Sequence, residues 1–272
     1  MKVLRVLTVL LFIGTACLFG WYYVQERNST DYTLPTIQAE QELLEISIHD
    51  DESVLLQGIT AFDAKDGDLT DKVIVESISQ FVGENTCTVT YAVADSDKHV
   101  AKCTRQIRYI DYEKPHFYLK KPMVISLGSV VEVTDYVGAT DCIEGDITDR
   151  VIITATDYQA GTAGVYSLSL QATNAKGDIV YLNLSMYVEE ENLRAPVITL
   201  SNHLIYVDKG QELDFESFVT SVESAYNRID EDSFLISESY NPNTPGVYDV
   251  HYYVLDTLGN EEHTVLTVVV EE

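Results

Sequence analysis

Pro245-Gly-Val-Tyr-Asp-Val-His-Tyr-Tyr-Val-Leu-Asp256 reads as a half-buried strand, and the chain contains it three times. Tyr248, Val250, Tyr252 and Val254 fall on one face, with Asp249 and His251 on the other. Period-two alternation with one apolar face is the mark of a strand that covers a core on one side only. Ala163-Gly-Val-Tyr-Ser-Leu-Ser-Leu-Gln-Ala-Thr-Asn174 repeats the pattern with Tyr166, Leu168, Leu170 and Ala172. Glu84-Asn-Thr-Cys-Thr-Val-Thr-Tyr-Ala-Val-Ala-Asp95 repeats it with Cys87, Val89, Tyr91 and Val93. Each copy ends in turn formers, at Asp95-Ser-Asp-Lys98, Asn174-Ala-Lys-Gly177 and Asp256-Thr-Leu-Gly-Asn260. Asp and Asn bond their own backbone there, and Gly and Asn accept positive φ. A second apolar run then returns, over 100–110, 179–188 and 264–270, so each copy predicts a hairpin.

Working outward, each copy opens on a proline-led extended stretch, at Pro35, Pro115 and Pro196. The spacings of 80 and 81 residues suit a small Greek-key sandwich, and a fixed period decides the architecture. The expected fold is all-β: three tandem Ig-like sandwiches after one N-terminal helix. The expected boundaries are 1–24 for the apolar segment, 25–34 for a linker, and 35–112, 113–192 and 193–272 for the sandwiches. The junctions Ile110–Pro115 and Val188–Pro196 are short, which predicts a semi-rigid string.

The Pro-Gly-Val-Tyr-x-Val-x-Tyr-x-Val-x-Asp-x-x-Gly-Asn pattern at 245–260, with Asp66-Gly-Asp-Leu-Thr-Asp71 and Glu144-Gly-Asp-Ile-Thr-Asp149, resembles the bacterial Ig-like repeats of surface proteins. It is similar to hyalin-repeat-like modules and to the Ig-like modules appended to some crystal toxins and cell-wall enzymes. The resemblance covers 35–272 and implies the fold; such modules act as spacers or adhesive units on unrelated proteins. The third copy departs from it, with Val219-Thr-Ser-Val-Glu-Ser-Ala-Tyr-Asn-Arg-Ile-Asp230 where the Asp-Gly-Asp segment belongs.

Asp63, Asp66, Asp68 and Asp71 recur as Asp141, Glu144, Asp146 and Asp149. Four carboxylates in nine residues suit the six to eight oxygens that Ca²⁺ requires, and extracellular modules bind that ion weakly. The same residues equally make metal-free turns, since Asp and Thr side chains cap backbone groups. Both readings stand at this point. Cys87 and Cys103 lie on the two strands of the first hairpin, with a midpoint at residue 95, and a cross-strand disulfide between them is expected in an oxidising exterior. Cys17 lies in the apolar segment, and Cys142 has no partner within its copy.

There is no Gly-x-Ser-x-Gly elbow, no His-Glu-x-x-His helix, no phosphate loop and no zinc spacing. His49, His99, His116, His203, His251 and His263 are scattered and read as solvated side chains. Catalysis and cofactors other than the Ca²⁺ option are therefore not expected. Asn28-Ser-Thr30 and Asn183-Leu-Ser185 match the glycosylation sequon by chance.

The charge is −27, from 17 basic and 44 acidic residues, which argues against a nucleic-acid partner and for a soluble, exposed surface. Residues 6–24 carry no charge, and as a helix they span about 28 Å, the thickness of a bilayer core. Trp21, Tyr22 and Tyr23 suit its interface, and Lys2 and Arg5 orient the N-terminus to the cytoplasm. A signal anchor is the leading reading. A cleaved signal peptide and a lipoprotein signal ending at Cys17 compete with it. No sortase-type tail follows Glu272, so the N-terminal helix would be the sole anchor.

The expected product is a single-pass cell-membrane protein whose bulk is an extracellular, non-catalytic stalk. Its partners would be the bilayer and a protein or glycan, with Tyr226, Tyr240 and Tyr253 as contact candidates. The alternatives are a carbohydrate-binding surface protein and an accessory subunit of an envelope complex.

Overall fold

The computed structural model describes residues 2–29 and 32–272, with side chains throughout except at 2–6, 26–29 and 230–232. Thr30 and Asp31 of the expected linker, and with Thr30 the first sequon, lie outside the described residues, as do the side chains of Lys2 and Arg5. Helix α1 covers Lys2–Ser29. Its Leu7–Gln25 stretch has a mean hydropathy of 1.8 and is long and apolar enough to cross a membrane. Leu11, Phe12, Leu18 and Phe19 along it are exposed.

The first repeat contains β1 (Thr36–Ala39), β2 (Leu43–Ile46), β3 (Ile59–Asp63), β4 (Gly67–Asp68), β5 (Ile74–Gly83), β6 (Thr86–Ala94) and β7 (Val100–Tyr109). The second contains β8 (His116–Leu119), β9 (Val124–Ser126), β10 (Val137–Asp141), β11 (Gly145–Asp146), β12 (Ile152–Thr156), β13 (Gly164–Thr173) and β14 (Ile179–Glu189). The third contains β15 (Val197–Leu200), β16 (Leu204–Val207), β17 (Val219–Glu223), β18 (Ile229–Glu238), β19 (Gly246–Asp256) and β20 (Glu261–Val270).

One topology recurs. A four-stranded sheet has the order β2-β7-β6-β5, then β12-β13-β14-β9, then β16-β20-β19-β18. A smaller sheet faces it, β1-β3-β4 in the first repeat and β8-β10-β11 in the second. The opening strand switches sheets: β1 pairs antiparallel with β3, and β2 then pairs parallel with β7. The third repeat has only β15 and β17 in the smaller sheet among the described residues, because the Gly-Asp segment that folds back as β4 and β11 is missing from its sequence. Beyond α1 the chain is β-structure broken only by short helical turns such as Val133–Tyr136 among the described residues, as three Ig-like sandwiches.

The alternation read from the sequence is the core face. Cys87, Val89, Tyr91 and Val93 are buried on β6; Leu168, Leu170 and Ala172 on β13; Val250, Tyr252 and Val254 on β19. The Gly-Val-Tyr start has a local cause. Tyr166 and Tyr248 donate to the carbonyls of Thr162 and Thr244 at 2.9 and 2.8 Å, closing a corner four residues back. Cys87 takes this place in the first repeat. The hairpin turns also match: Lys98, Gly177 and Gly259 each donate to the carbonyl three residues earlier and hold φ of 73°, 87° and 82°. Only Lys98 carries a side chain in that left-handed conformation.

The chain divides into two compact units, Met1–Asp111 and Tyr112–Glu272. The second and third repeats therefore lie in one unit. The junction shows why: Leu204 of β16 is buried in the second repeat's core, with Tyr206 and Val269 packed against the same cluster. Tyr206 accepts a hydrogen bond from the Phe117 amide at 3.1 Å. Burial lifts its phenol to about 12.

Candidate functional site

The acidic loops are built turns. In the first repeat the Asp63 carboxylate accepts from the amides of Lys65 and Asp66 at 2.8 and 2.9 Å. Gly67 follows at φ 76° and lets β4 fold back on β3. Asp68 caps the Thr70 amide at 2.9 Å, and Thr70 Oγ1 accepts from the Ala61 amide at 3.1 Å. Between them Leu69 is sealed in the core at 1% exposure. The second repeat copies each step. Asp141 accepts from Ile143 and Glu144, Asp146 caps Thr148, and Ile147 is the apolar plug, again 1% exposed.

The second pair of carboxylates is spent as well. Asp66 accepts from the Ser96 amide at 2.6 Å and from its hydroxyl at 2.8 Å, and these bonds lower its pKa. Glu144 is held bidentate by Arg150 at 2.8 Å for each bond, which lowers its pKa in turn. Asp68 and Asp146 are lowered by the Thr hydroxyl and amide they accept from. The run from Asp63 to Thr70 and its copy from Asp141 to Thr148 are thus accounted for by turn, cap and plug, while Asp71 and Asp149, the fourth carboxylate of each loop, lie exposed in the turn that follows. Among the described residues no group of three or more His, Cys, Asp or Glu is placed to hold a metal ion.

One position differs between the copies. Asp95, Asn174 and Asp256 are equivalents: each accepts from the amide four residues on, at 2.7, 2.9 and 2.9 Å. Asn174 Nδ2 donates to Asp141 Oδ2 at 2.8 Å and to the Tyr112 phenol at 2.9 Å. In the third repeat the roles reverse, and Asn227 Nδ2 donates to Asp256 at 2.5 Å. Burial raises the Asp256 pKa, but bonds from Asn260, Asn227 and Leu258 outweigh it and hold the carboxyl at about 2. The first repeat has acids at both places, Asp63 and Asp95. Asp63 is 2% exposed, and its Oδ2 has no hydrogen-bond partner.

The disulfide expected between Cys87 and Cys103 is not formed. Cys87 lies opposite Ile107 and Cys103 opposite Tyr91. The two cysteines are thus four residues out of register, about 13 Å along a strand, whereas a disulfide needs Cα atoms within about 7 Å. Cys103 is a free thiol that desolvation raises in pKa. Cys142 is exposed and bonds through Sγ to the Glu113 backbone.

The proposed tyrosine contacts separate. Tyr226 is 68% exposed. Tyr240 packs edge-on against Phe215 and Tyr248 and donates to the Gln211 carbonyl. Tyr253 lies flat on His263, with ring centroids 4.6 Å apart. These three do not make a coplanar exposed platform for a sugar.

The junction of the second and third repeats leaves no motif in the sequence. A cleft of about 510 Å³ there is lined by Glu189, Glu190, Glu191, Asn192, Glu262 and His263, among others. Burial and the neighbouring Glu189 push the Glu262 carboxyl up to about 7. His251 and His263, read as solvated, stack on each other in this junction with centroids 5.2 Å apart. The outward face of the β19–β20 hairpin is covered here by β14 of the second repeat, a fact that strand alternation within one copy does not encode.

No family model matches the chain. It is 28% identical over 138 residues to an uncharacterized 81.3 kDa protein of Acholeplasma phage L2, covering 49% of this chain and 18% of that one. It is 24% identical over 170 residues to the pesticidal crystal protein Cry22Aa of Bacillus thuringiensis, covering 57% and 22%. The chain thus spans about a fifth of the length of the curated relatives it matches. Among solved structures, Drosophila N-cadherin EC1-3 matches at 14% identity and a TM-score of 0.31, over 85% of this chain and 98% of that one. The CBM51-2 and INT domains of Clostridium perfringens ZmpB, in complex with GlcNAc, match at 16% identity and 0.24, over 87% and 42%. The fibronectin(III)-like modules of Clostridium thermocellum CbhA match at 15% and 0.21, over 73% and 94%.

Proposed function

We propose that the chain is a membrane-anchored, extracytoplasmic stalk whose Ig-like repeats bind or scaffold other molecules without catalysis. The observation that carries this reading is the joining of two features in one chain. An apolar helical stretch, Leu7–Gln25, leaves its side chains exposed, which water disfavours and a bilayer accepts. It is followed by sandwiches in which three of the four carboxylates of each acidic loop are engaged by hydrogen bonds. The match to parts of two much longer proteins supports a modular role. The acidic surface supports an exposed, soluble body.

The test is fractionation of cells expressing the full chain and a form lacking residues 7–25. The full chain is expected in the membrane pellet after alkaline carbonate washing, and the shortened form in the soluble fraction. A full chain that washes off, or that loses its N-terminal segment by cleavage, would refute the anchor. Crosslinking on intact cells, followed by mass spectrometry, would then name the partner.

A further inference from the structure

Titratable side chains form a continuous line across the junction of the second and third repeats. Glu189 Oε1 lies 2.6 Å from His263 Nδ1, and His263 Nε2 lies 2.9 Å from His251 Nδ1. His251 Nε2 is 3.5 Å from the Tyr187 phenol, which donates to Asp249 at 2.9 Å. Tyr187 and Glu189 belong to β14; Asp249 and His251 belong to β19 and His263 to β20. Tyr187 stands edge-on to both imidazoles, at interplanar angles of 89° and 88°.

The protons on this line can be counted. Glu189 calls for a proton on His263 Nδ1. The 2.9 Å contact between the rings needs one proton between two nitrogens. Two ring protons satisfy both demands, with both imidazoles neutral. Three also satisfy them, with one imidazolium donating from each nitrogen. A fourth sets N–H against N–H and two positive charges against each other.

We propose that this line is an acid-sensitive latch between the second and third repeats, closed with two or three protons on the histidine pair and released by the fourth. The groups facing the pair are Glu189 and Tyr187 from β14, Asp249 and Tyr253 from β19, and Glu262 from β20, with Glu261 beside Tyr253. Burial, together with His263, lowers the pKa of His251 below its ordinary 6.5. Its proton is therefore bound more readily once the contact is broken. The latch is closed above about pH 6.5 and weakens as pH falls below it. Two neighbours work the other way. Glu262 takes up a proton near pH 7 and relieves its repulsion with Glu189. His116 faces Glu271 at 3.6 Å across the same junction, and gains attraction when it charges. Release therefore requires the fourth ring proton itself.

Amide exchange followed by NMR on the full chain tests this. The reporter is the Phe117 amide, which donates to the Tyr206 phenol across the junction. After correction for intrinsic rates, its protection is expected to fall at least tenfold between pH 6.5 and 4.5. The β13–β14 ladder amides are expected to keep theirs. In His251→Gln, whose side chain does not titrate, the loss is expected to stay within twofold; His263→Gln serves as the second variant if the first does not fold. Constant protection in the wild type, an equal loss in both variants, or a parallel loss in the ladder would each overturn the latch.

Discussion

Replacing Asp95 by Asn should strengthen the first repeat, and the reason lies in the other two. The second repeat joins Asp141 to Asn174, and the third joins Asn227 to Asp256, one acid and one amide each time. The first repeat has two acids and leaves Asp63 Oδ2 buried without a donor. An unsatisfied buried polar atom costs about 1–3 kcal/mol. Asn at 95 would bring Nδ2 where Asn174 Nδ2 sits, 2.8 Å from the matching oxygen. Against this stands the bond from His99 Nδ1 to Asp95 Oδ2 at 2.7 Å, whose charge assistance is lost. With that worth about 1 kcal/mol, the net gain is about 1 kcal/mol. Native-state exchange on β6 and β7 amides in the full chain reads such a gain as about fivefold more protection. The reciprocal change, Asn174→Asp, removes two donated bonds and sets like charges together, and should cost about 2–4 kcal/mol on β13 and β14 amides. If Asp95→Asn lowers protection, or Asn174→Asp leaves it unchanged, the pairing argument is refuted.

Lys98→Gly should stabilise the first hairpin by about 1 kcal/mol, because Lys98 holds φ of 73° where the other copies have glycine; protection of β6–β7 amides checks it. Gly138→Ala would place a Cβ 2.2 Å from Cζ of Tyr118. It should cost about 1–3 kcal/mol, and the double change with Tyr118→Ala should recover most of that in thermal melts. Glu262, raised to about 7, contributes stability that is present below its ordinary range near 4.5 and lost as pH rises through 7. Glu262→Gln removes that contribution, so the difference in melting temperature between wild type and variant should decline from pH 5 to 8.

The alternation of Val250, Tyr252 and Val254 made the hairpin and its core face legible, because period two follows directly from strand geometry. The Asp-Gly-Asp-Leu-Thr-Asp run was legible as a turn, but composition does not reveal which amides its carboxylates meet. The disulfide expectation centred the first hairpin at residue 95. The left-handed Lys98 lengthens the turn, Ala94 is the last pair with Val100, and the centre falls at 97. That displacement moves Cys87 from the neighbourhood of Cys103 to Ile107. Period two puts His251 and His263 on a strand face that points away from their own core, which in a single copy is the solvent face. What covers it is the neighbouring repeat, which no single copy's pattern reveals.

The placement of the repeats outside the membrane is tested most directly by a membrane-impermeant maleimide on intact cells. Cys142 is exposed, whereas Cys87 is buried. Labelling of the full chain without lysis, lost in Cys142→Ser, is the expected result. A thiol that reacts only after lysis would place the sandwiches on the cytoplasmic side and contradict the account.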